Sequence, residues 1–375
     1  MLPRIKINYL NGQLGTVPES EDGLFVLAGN LGVIEKFPQE TLRSVRTMDD
    51  VAALGLKVGD SFYNTIEHFY KEAGEGVEVL LYNLLGTPGD SVIDEGSIDI
   101  IIRESNGRCR GIFFVDPFGE FDEDRIRETI DGAQIGADEA ALNRFVPVFV
   151  VFNASVGNRE FSLDTKGLNR VALFDGTEDG DPNSSLIGLL AGRLASIPVH
   201  RNVGRVKDGA IKYSGEVYVG VESVSVANVE RYHAGGFITP RTYVGMSGYY
   251  FADDCMACDP TDDYAHLTAR RTIDKAYRIA YQTLVQFMLD EIEVNEDGTM
   301  QNGVLKSWQQ AVENAINRQM TAKGELSATD GEGCVCFIDP KQNVLATSRI
   351  ELTLKVRPYG YARFIDVNLG FQVIA

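Results

Sequence analysis

Apolar and polar positions alternate at both ends of this chain and follow other periods between them. Residues 4–10 set Ile5, Ile7 and Tyr9 against Arg4, Lys6 and Asn8, the pattern of a half-buried strand. Gly12, Gly15 and Pro18 follow it, so a flexible tether is expected to leave this strand. At the other end Ile365, Val367, Leu369, Phe371 and Val373 alternate with Asp366, Asn368, Gly370 and Gln372. Pro358 and Gly360 separate that run from an earlier strand pattern over Ser348 to Val356, in which Ile350, Leu352, Leu354 and Val356 alternate. Gly12, Gly15, Pro358 and Gly360 are therefore the expected hinges of two terminal arms, residues 1–20 and 358–375.

The body between the arms mixes periods. A short strand, Leu24 to Ala28, comes first. Asp49 and Asp50 are placed to cap a short helix that Gly55 stops, and Asp60 to cap a second one. The second helix carries Phe62, Tyr63, Ile66, Phe69, Tyr70 and Ala73 on one face, and an apolar strand over Val77 to Leu81 follows. Strand, helix, helix, strand predicts an α/β unit with a crossover. Ile98 to Ile102, Gly111 to Val115, Val148 to Phe152 and Val171 to Phe174 read as buried strands. Asp122 to Ile130 and Asp138 to Phe145 read as helices, and a small-residue helix is expected over Ser184 to Ser196. Val203 to Val221 carries turn signals and reads as β.

The last third changes character. A long amphipathic helix is predicted from about Asp262 to Ile292, with Ile273, Ala276, Tyr277, Ala280, Leu284, Phe287 and Met288 as its stripe. A second runs from about Val304 to Lys323 with Leu305, Trp308, Val312, Ile316 and Met320 on one face, and a strand follows over Cys334 to Ile338. The expected fold class is mixed α/β (α+β), a body of several domains with extended β-strand arms.

Composition narrows what such a body can do. The 375 residues suggest two or three packed units, and 44% hydrophobic content supports a sizeable core. A net charge of −19 and a pI near 4.7 repel phosphate backbones and anionic lipid, so no nucleic-acid partner and no membrane insertion are expected. The first residues, MLPRIKINYLNG, carry no secretion-signal pattern, and a cytoplasmic place of synthesis and assembly is expected. The five cysteines are odd in number and read as free thiols in a reducing compartment.

Candidate chemistry is sparse. No Gly-rich loop precedes Lys-Ser/Thr, Gly74-Glu75-Gly76 lacks the third glycine of a dinucleotide turn, and no Gly-x-Ser-x-Gly elbow occurs. His68, His200, His233 and His266 are scattered. Cys255 and Cys258 could join Cys334 and Cys336 around zinc, but the second pair has one intervening residue and sits on a strand. Unpaired cysteine more often packs as a small hydrophobe. Asp175–Asn183 resembles a calcium loop but has Leu186 where the twelfth-position Glu belongs, so it reads as a solvated turn. Arg270-Arg271 could grip an anion, or begin a helix face with ordinary ion pairs. Asn153-Ala-Ser155 fits a glycosylation triplet that nothing else supports. No catalytic residue, cofactor or metal site is assigned. The arms remain: they either add to the chain's own sheet or pair with another copy, as unpaired strand edges invite.

The order of motifs resembles contractile tail sheath proteins. Residues 24–85 give an apolar strand ending at Gly29, then Pro38-Gln-Glu-Thr-Leu42, Ser44, Met48-Asp49-Asp50, Leu54-Gly55, His68-Phe69-Tyr70, Gly74–Gly76 and Val77–Tyr82. The last third matches the same family through Arg270-Arg271, Trp308, Gly324-Glu-Leu326, the Cys336–Asp339 and Ile350–Val356 strands and a terminal arm. Tyr243–Phe251 and the Cys255/Cys258 pair depart from that pattern. The resemblance implies a non-enzymatic subunit that polymerises with itself as stacked hexameric rings, a helical sheath around an inner tail tube protein. Baseplate and terminator proteins would be further partners, and the setting a phage tail, pyocin-like particle or injection system assembled in the bacterial cytoplasm. The resemblance also implies boundaries within the body: an outer α/β region over 21–245, with 90–240 its variable protruding part, and an inner domain over 246–357. Ile5, Ile7, Tyr9, Ile365, Val367, Leu369, Phe371 and Val373 would be the arm contacts between subunits. Two alternatives stay open: a cytosolic α/β enzyme or metal-binding protein using Cys255 and Cys258, or another structural part, tube or baseplate, of such a particle.

Overall fold

The computed structural model describes residues 21–87, 90–91, 93, 95–115, 122–154, 167–328 and 331–370. The chain divides into two compact units, Met1–Arg278 and Ile279–Ala375. Ile5, Ile7, Tyr9, Gly12, Gly15, Phe371 and Val373 lie outside the described residues.

In chain order the first unit contains β1 (Phe25–Gly29), β2 (Leu42–Val45), α1 (Met48–Ala53), α2 (Ser61–Ala73), β3 (Val79–Asn83), α3 (Glu95–Glu104), β4 (Gly111–Phe114), α4 (Glu123–Asn143), β5 (Phe149–Asn153), β6 (Val171–Phe174), α5 (Ile187–Ser196), α6 (Val226–Ala234) and β7 (Phe237–Ile238). The unit boundary falls inside α7 (Leu267–Leu284). Strands of this unit form one seven-stranded sheet in the order β7-β6-β5-β4-β1-β3-β2. Every neighbouring pair is parallel except β2 with β3.

The strands are near-continuous apolar runs because both faces of a parallel sheet are covered. Phe25, Leu27, Leu81, Phe113 and Val151 face α2 and α5, through Phe62, Ile66, Phe69, Leu190 and Leu194. Val26, Ala28, Leu80, Phe114 and Phe152 face α3, α4 and α6, through Ile98, Ile101, Ile126, Ile130 and Tyr232. The expected strand over Ile98–Ile102 is instead the middle of α3. Its buried residues, Ile98, Ile101 and Ile102, recur at helical spacing, a pattern that a short apolar run cannot distinguish from a strand. The two helices expected over 122–145 are one, α4, and most of Val203–Val221 is irregular, with strand only at Tyr218–Val219. Thr47, not Asp49, caps α1: its side chain accepts from Asp50 N–H while Asp50 accepts from Thr47 N–H.

Small residues set the α2–α5 packing. A Cβ on Gly188 would stand 2.0 Å from the Thr65 carbonyl oxygen, and one on Gly192 2.3 Å from that of Phe69. The close approach lets buried Glu72 and Arg193 meet at 2.7 Å, with Arg193 also donating to the Gly209 and Ala210 carbonyls. His68, also on α2, is 3% exposed and has its Nε2 3.0 Å from Glu178. Burial, helped by Lys71, pushes its pKa down to about 4, so neutral imidazole donates to the Glu178 carboxylate at pH 7.

The second unit holds the end of α7, α8 (Asn302–Gln319), β8 (Cys334–Ile338), α9 (Val344–Thr347) and β9 (Leu352–Val356). A small core of Met300, Leu305 and Ile338 is joined by Trp308, which stacks on Phe287 at 4.7 Å.

Gly188→Ala should lower the unfolding free energy by about 1–3 kcal/mol, because the added methyl meets backbone that cannot yield without parting the helices. Urea denaturation reads this, and an unchanged midpoint would refute the close packing. A second expectation concerns pH. Unfolded histidine titrates near 6.5, so between about pH 6.5 and 4 the unfolded chain binds a proton that folded His68 does not. Stability should fall as pH falls through that window. His68→Gln should flatten the slope by roughly 1–3 kcal/mol across it, as measured by denaturation at stepped pH; an unaltered slope would exclude His68 as its source.

Candidate assembly surface

The hairpin of β8 and β9 is antiparallel, with Cys334 opposite Val356, Cys336 opposite Leu354 and Ile338 opposite Leu352. Those residues share one face. On β8 the alternation is complete: Cys334, Cys336 and Ile338 are buried, while Val335 and Phe337 are each 55% exposed. The open face therefore carries Val335 and Phe337 beside Thr353 and Lys355.

Helix α8 also meets the backbone of β8. Glu313 Oε1 accepts from Cys336 N–H at 2.7 Å, and Asn317 Oδ1 accepts from Gly333 N–H at 3.1 Å. The hairpin has only these two strands, so no strand of the described residues lies beside the outer edge of β9. An unpaired edge is a template for another strand.

The chain leaves the unit at a defined point. Arg357 N–H donates to the Gly333 carbonyl at 2.8 Å, and Ser327 N–H to the Arg357 carbonyl at 3.0 Å. From Pro358 to Gly370 the backbone has no regular structure. Phe364 is 90% exposed, Ile365 and Val367 78%, and Leu369 95%. The strand expected from the alternation is absent over the described part of this arm. A strand needs a partner strand for its backbone groups, and no strand of the described residues pairs with this stretch. Gly360 stands in open space.

Other sequence candidates have structural places. Arg270 and Arg271 are both buried. Arg270 pairs with Asp274 at 2.7 Å, and Arg271 donates to the Leu194 and Ile197 carbonyls. The two tie α7 into the first unit rather than offering a grip for an anion. In the acidic turn Asp175 accepts from Gly220 N–H, Glu178 meets His68 of α2, and Asp181 caps the short turn after it, so these carboxylates bind groups of the protein itself. Cys255 and Cys258 lie in the first unit, Cys334 and Cys336 in the second. Burial pushes the Cys258 thiol up to about 12, with Asp262 and Asp259 adding to it. Burial and Glu313 push Cys334 and Cys336 to about 11, so all three are protonated, unreactive thiols at neutral pH. Sequence reasoning missed the open face of β8. Its signal was the same alternation that placed Cys334 and Cys336 together. No helix among the described residues is long and apolar enough to cross a membrane.

Residues 161–255 match the family described as the DUF2586 N-terminal domain, and residues 263–374 the DUF2586 C-terminal domain. No curated protein is matched. Among solved structures, the helical sheath of the anti-feeding prophage in its contracted state is 16% identical with a TM-score of 0.66, covering 99% of both chains. The sheath of the extracellular contractile injection system called PVC, also contracted, is 14% identical with a TM-score of 0.65, covering 100% of this chain and 98% of that one. A sheath tail protein from Desulfitobacterium hafniense is 11% identical with a TM-score of 0.53, over 94% and 100%. The match to both DUF2586 domains in order and the likeness along nearly the whole chain lead to one conclusion: this chain is similar to DUF2586 proteins and has the fold of contractile-sheath subunits.

Proposed function

We propose that this chain is the structural subunit of a contractile sheath, built from stacked sixfold rings around an inner tube, that drives the tube through an envelope. The observation that carries the reading is the apolar arm after Arg357, which the single subunit leaves uncovered. A likeness to sheath subunits along nearly the whole chain supports it. The edge of β9 that no strand of the described residues pairs with is the natural receptor for an arm from a neighbouring copy, by strand addition. Ile365, Val367 and Leu369 would be buried there, with Phe371 and Val373 continuing the face. Ile5, Ile7 and Tyr9 would do the same from the other end, and Gly12, Gly15, Pro358 and Gly360 would let the arms swing.

In this reading the arms hold neighbours together while the bodies rotate and repack. Each buried aliphatic or aromatic side chain contributes roughly 1.5–3 kcal/mol, so an arm of several could survive a large rotation. Energy comes from new burial between subunits rather than nucleotide hydrolysis, and the subunit is not an enzyme. Residues 21–245 would form the outer body, 90–240 its variable part, and 246–357 the inner body toward the tube. The tube protein, baseplate and terminator would be its partners, in a particle assembled in the bacterial cytoplasm.

Negative-stain microscopy of concentrated protein should show rings or tubes. Val367→Asp places a charge on the apolar face and Leu369→Pro removes a backbone donor. Both should give soluble monomers that form no tubes, with unfolding within about 0.5 kcal/mol of the wild-type monomer, as expected of exposed positions. A compact wild-type dimer, or an isolated subunit unfolded by Leu369→Pro, would overturn strand exchange.

A further inference from the structure

Three ligating side chains follow one another at Asp253, Asp254 and Cys255, and the end of α6 comes to meet them. His233 Nδ1 lies 3.7 Å from Cys255 Sγ. With a carboxylate oxygen of Asp253, the three donor atoms all lie within 4.8 Å of one another. A sulfur and a nitrogen bound tetrahedrally to one zinc ion at ordinary bond lengths stand about 3.6 Å apart. The pair is therefore spaced as two ligands of a shared ion. Cys258, the partner that sequence spacing offers to Cys255, is not in the group.

Asp253 is held for such a role. Its Oδ1 accepts from Asn202 Nδ2 at 2.6 Å and from Asp254 N–H at 2.9 Å, the outer hydrogen bonds that orient a ligating carboxylate. A second trio, Asp253, Asp254 and His266, also brings its donors together. There Asp254 is engaged otherwise: Oδ2 accepts from Thr268 N–H at 2.8 Å and Oδ1 faces His266 Nδ1 at 3.2 Å, which anchors the start of α7. Asp253 links the trios, and its Oδ1 lies farther from His266 Nδ1, at 3.9 Å, than Asp254 Oδ1 does. Of the three, His233 also lines a cavity of about 100 Å³, together with Glu230, Arg241, Thr242 and Ala252.

We propose that His233, Asp253 and Cys255 form a three-ligand site for a divalent transition metal of the zinc class, with the fourth position left for water or another small ligand. Sulfur, nitrogen and one carboxylate oxygen favour zinc and its neighbours over calcium or magnesium. Thiolate and carboxylate together neutralise a dication, and the ion would clasp the end of α6 to the segment leading into α7. The proposal does not depend on the sheath reading.

The test uses the full chain, stripped with chelator and titrated with Co²⁺. One equivalent should bind with a thiolate-to-cobalt charge-transfer absorption and the visible bands of a four-coordinate ion, and Zn²⁺ should displace it. Cys255→Ser should abolish the charge-transfer absorption, and it and His233→Gln should each weaken binding by roughly tenfold or more. Cys258→Ser should leave both unchanged. Absence of charge-transfer absorption in the wild-type chain overturns the proposal whatever the variants do. So does Cys255→Ser binding with full affinity, or Cys258→Ser losing the band, which would place the ion on a different thiol.

Discussion

The parallel pairing of β1 with both β3 and β4 is the contact on which the first unit depends. Val26 stands level with Leu80 on one side and Ile112 on the other. A strand paired on both edges satisfies its backbone inside the protein. Its side chains then point alternately into two cores, Phe25 and Leu27 into one, Val26 and Ala28 into the other. Parallel neighbours also need crossover connections, and these lay helices over both faces. The layers of helix, sheet and helix follow from that one strand being surrounded.

Buried charge ties the outer elements to this centre. Arg170 reaches Asp274 at 3.3 Å and Asp138 at 3.0 Å, and Arg270 shares Asp274. Burial works to raise the Asp22 pKa, but Lys275 and Arg278 outweigh it and hold the carboxyl below its usual value. Arg271 lies 5.9 Å over the ring of Phe25. Each such group is costly to bury unpaired and close to neutral when paired, so these contacts select one seating of α7 more than they add net stability. In a chain of net charge −19 the basic groups are the scarcer partner. The first unit commits several of them inside, beside particular acids.

The second unit is built on a different balance. Helix α8 covers one face of the β8–β9 hairpin and caps backbone of β8 through Glu313 and Asn317. Val335 and Phe337 are left on the open face, and Phe364 to Leu369 beyond it. A two-stranded sheet is marginal alone. Its added apolar surface, and an edge that no strand of the described residues pairs with, are explained if other copies complete it, which is why this surface carries the functional reading and the sheet of the first unit does not.

Several features were legible from periodicity because local physics decides them. The apolar runs at β1, β4, β5 and β6 need burial on both faces wherever they sit, and the stripe of α8 from Leu305 to Ile316 needs one covered face. The arm's alternation is of the same kind. Other features had no local signature. The run around Ile98 satisfies strand and helix periods alike, and only packing beside α4 in the core shared with the sheet made it α3. Gly188 and Gly192 read as a small-residue helix, but only the arrival of α2 made them indispensable. Arg270 and Arg271 looked equally suited to an external anion until Asp274 and the Leu194 carbonyl were found beside them. His233 and Cys255, twenty-two positions apart, met only because Pro240–Arg241 pairs antiparallel with Tyr250–Phe251 and so brings the chain back upon itself. Spacing along a sequence reports which face a residue shares with its near neighbours. Which distant groups share a volume is decided by the packing of whole elements, through contacts that no single segment contains.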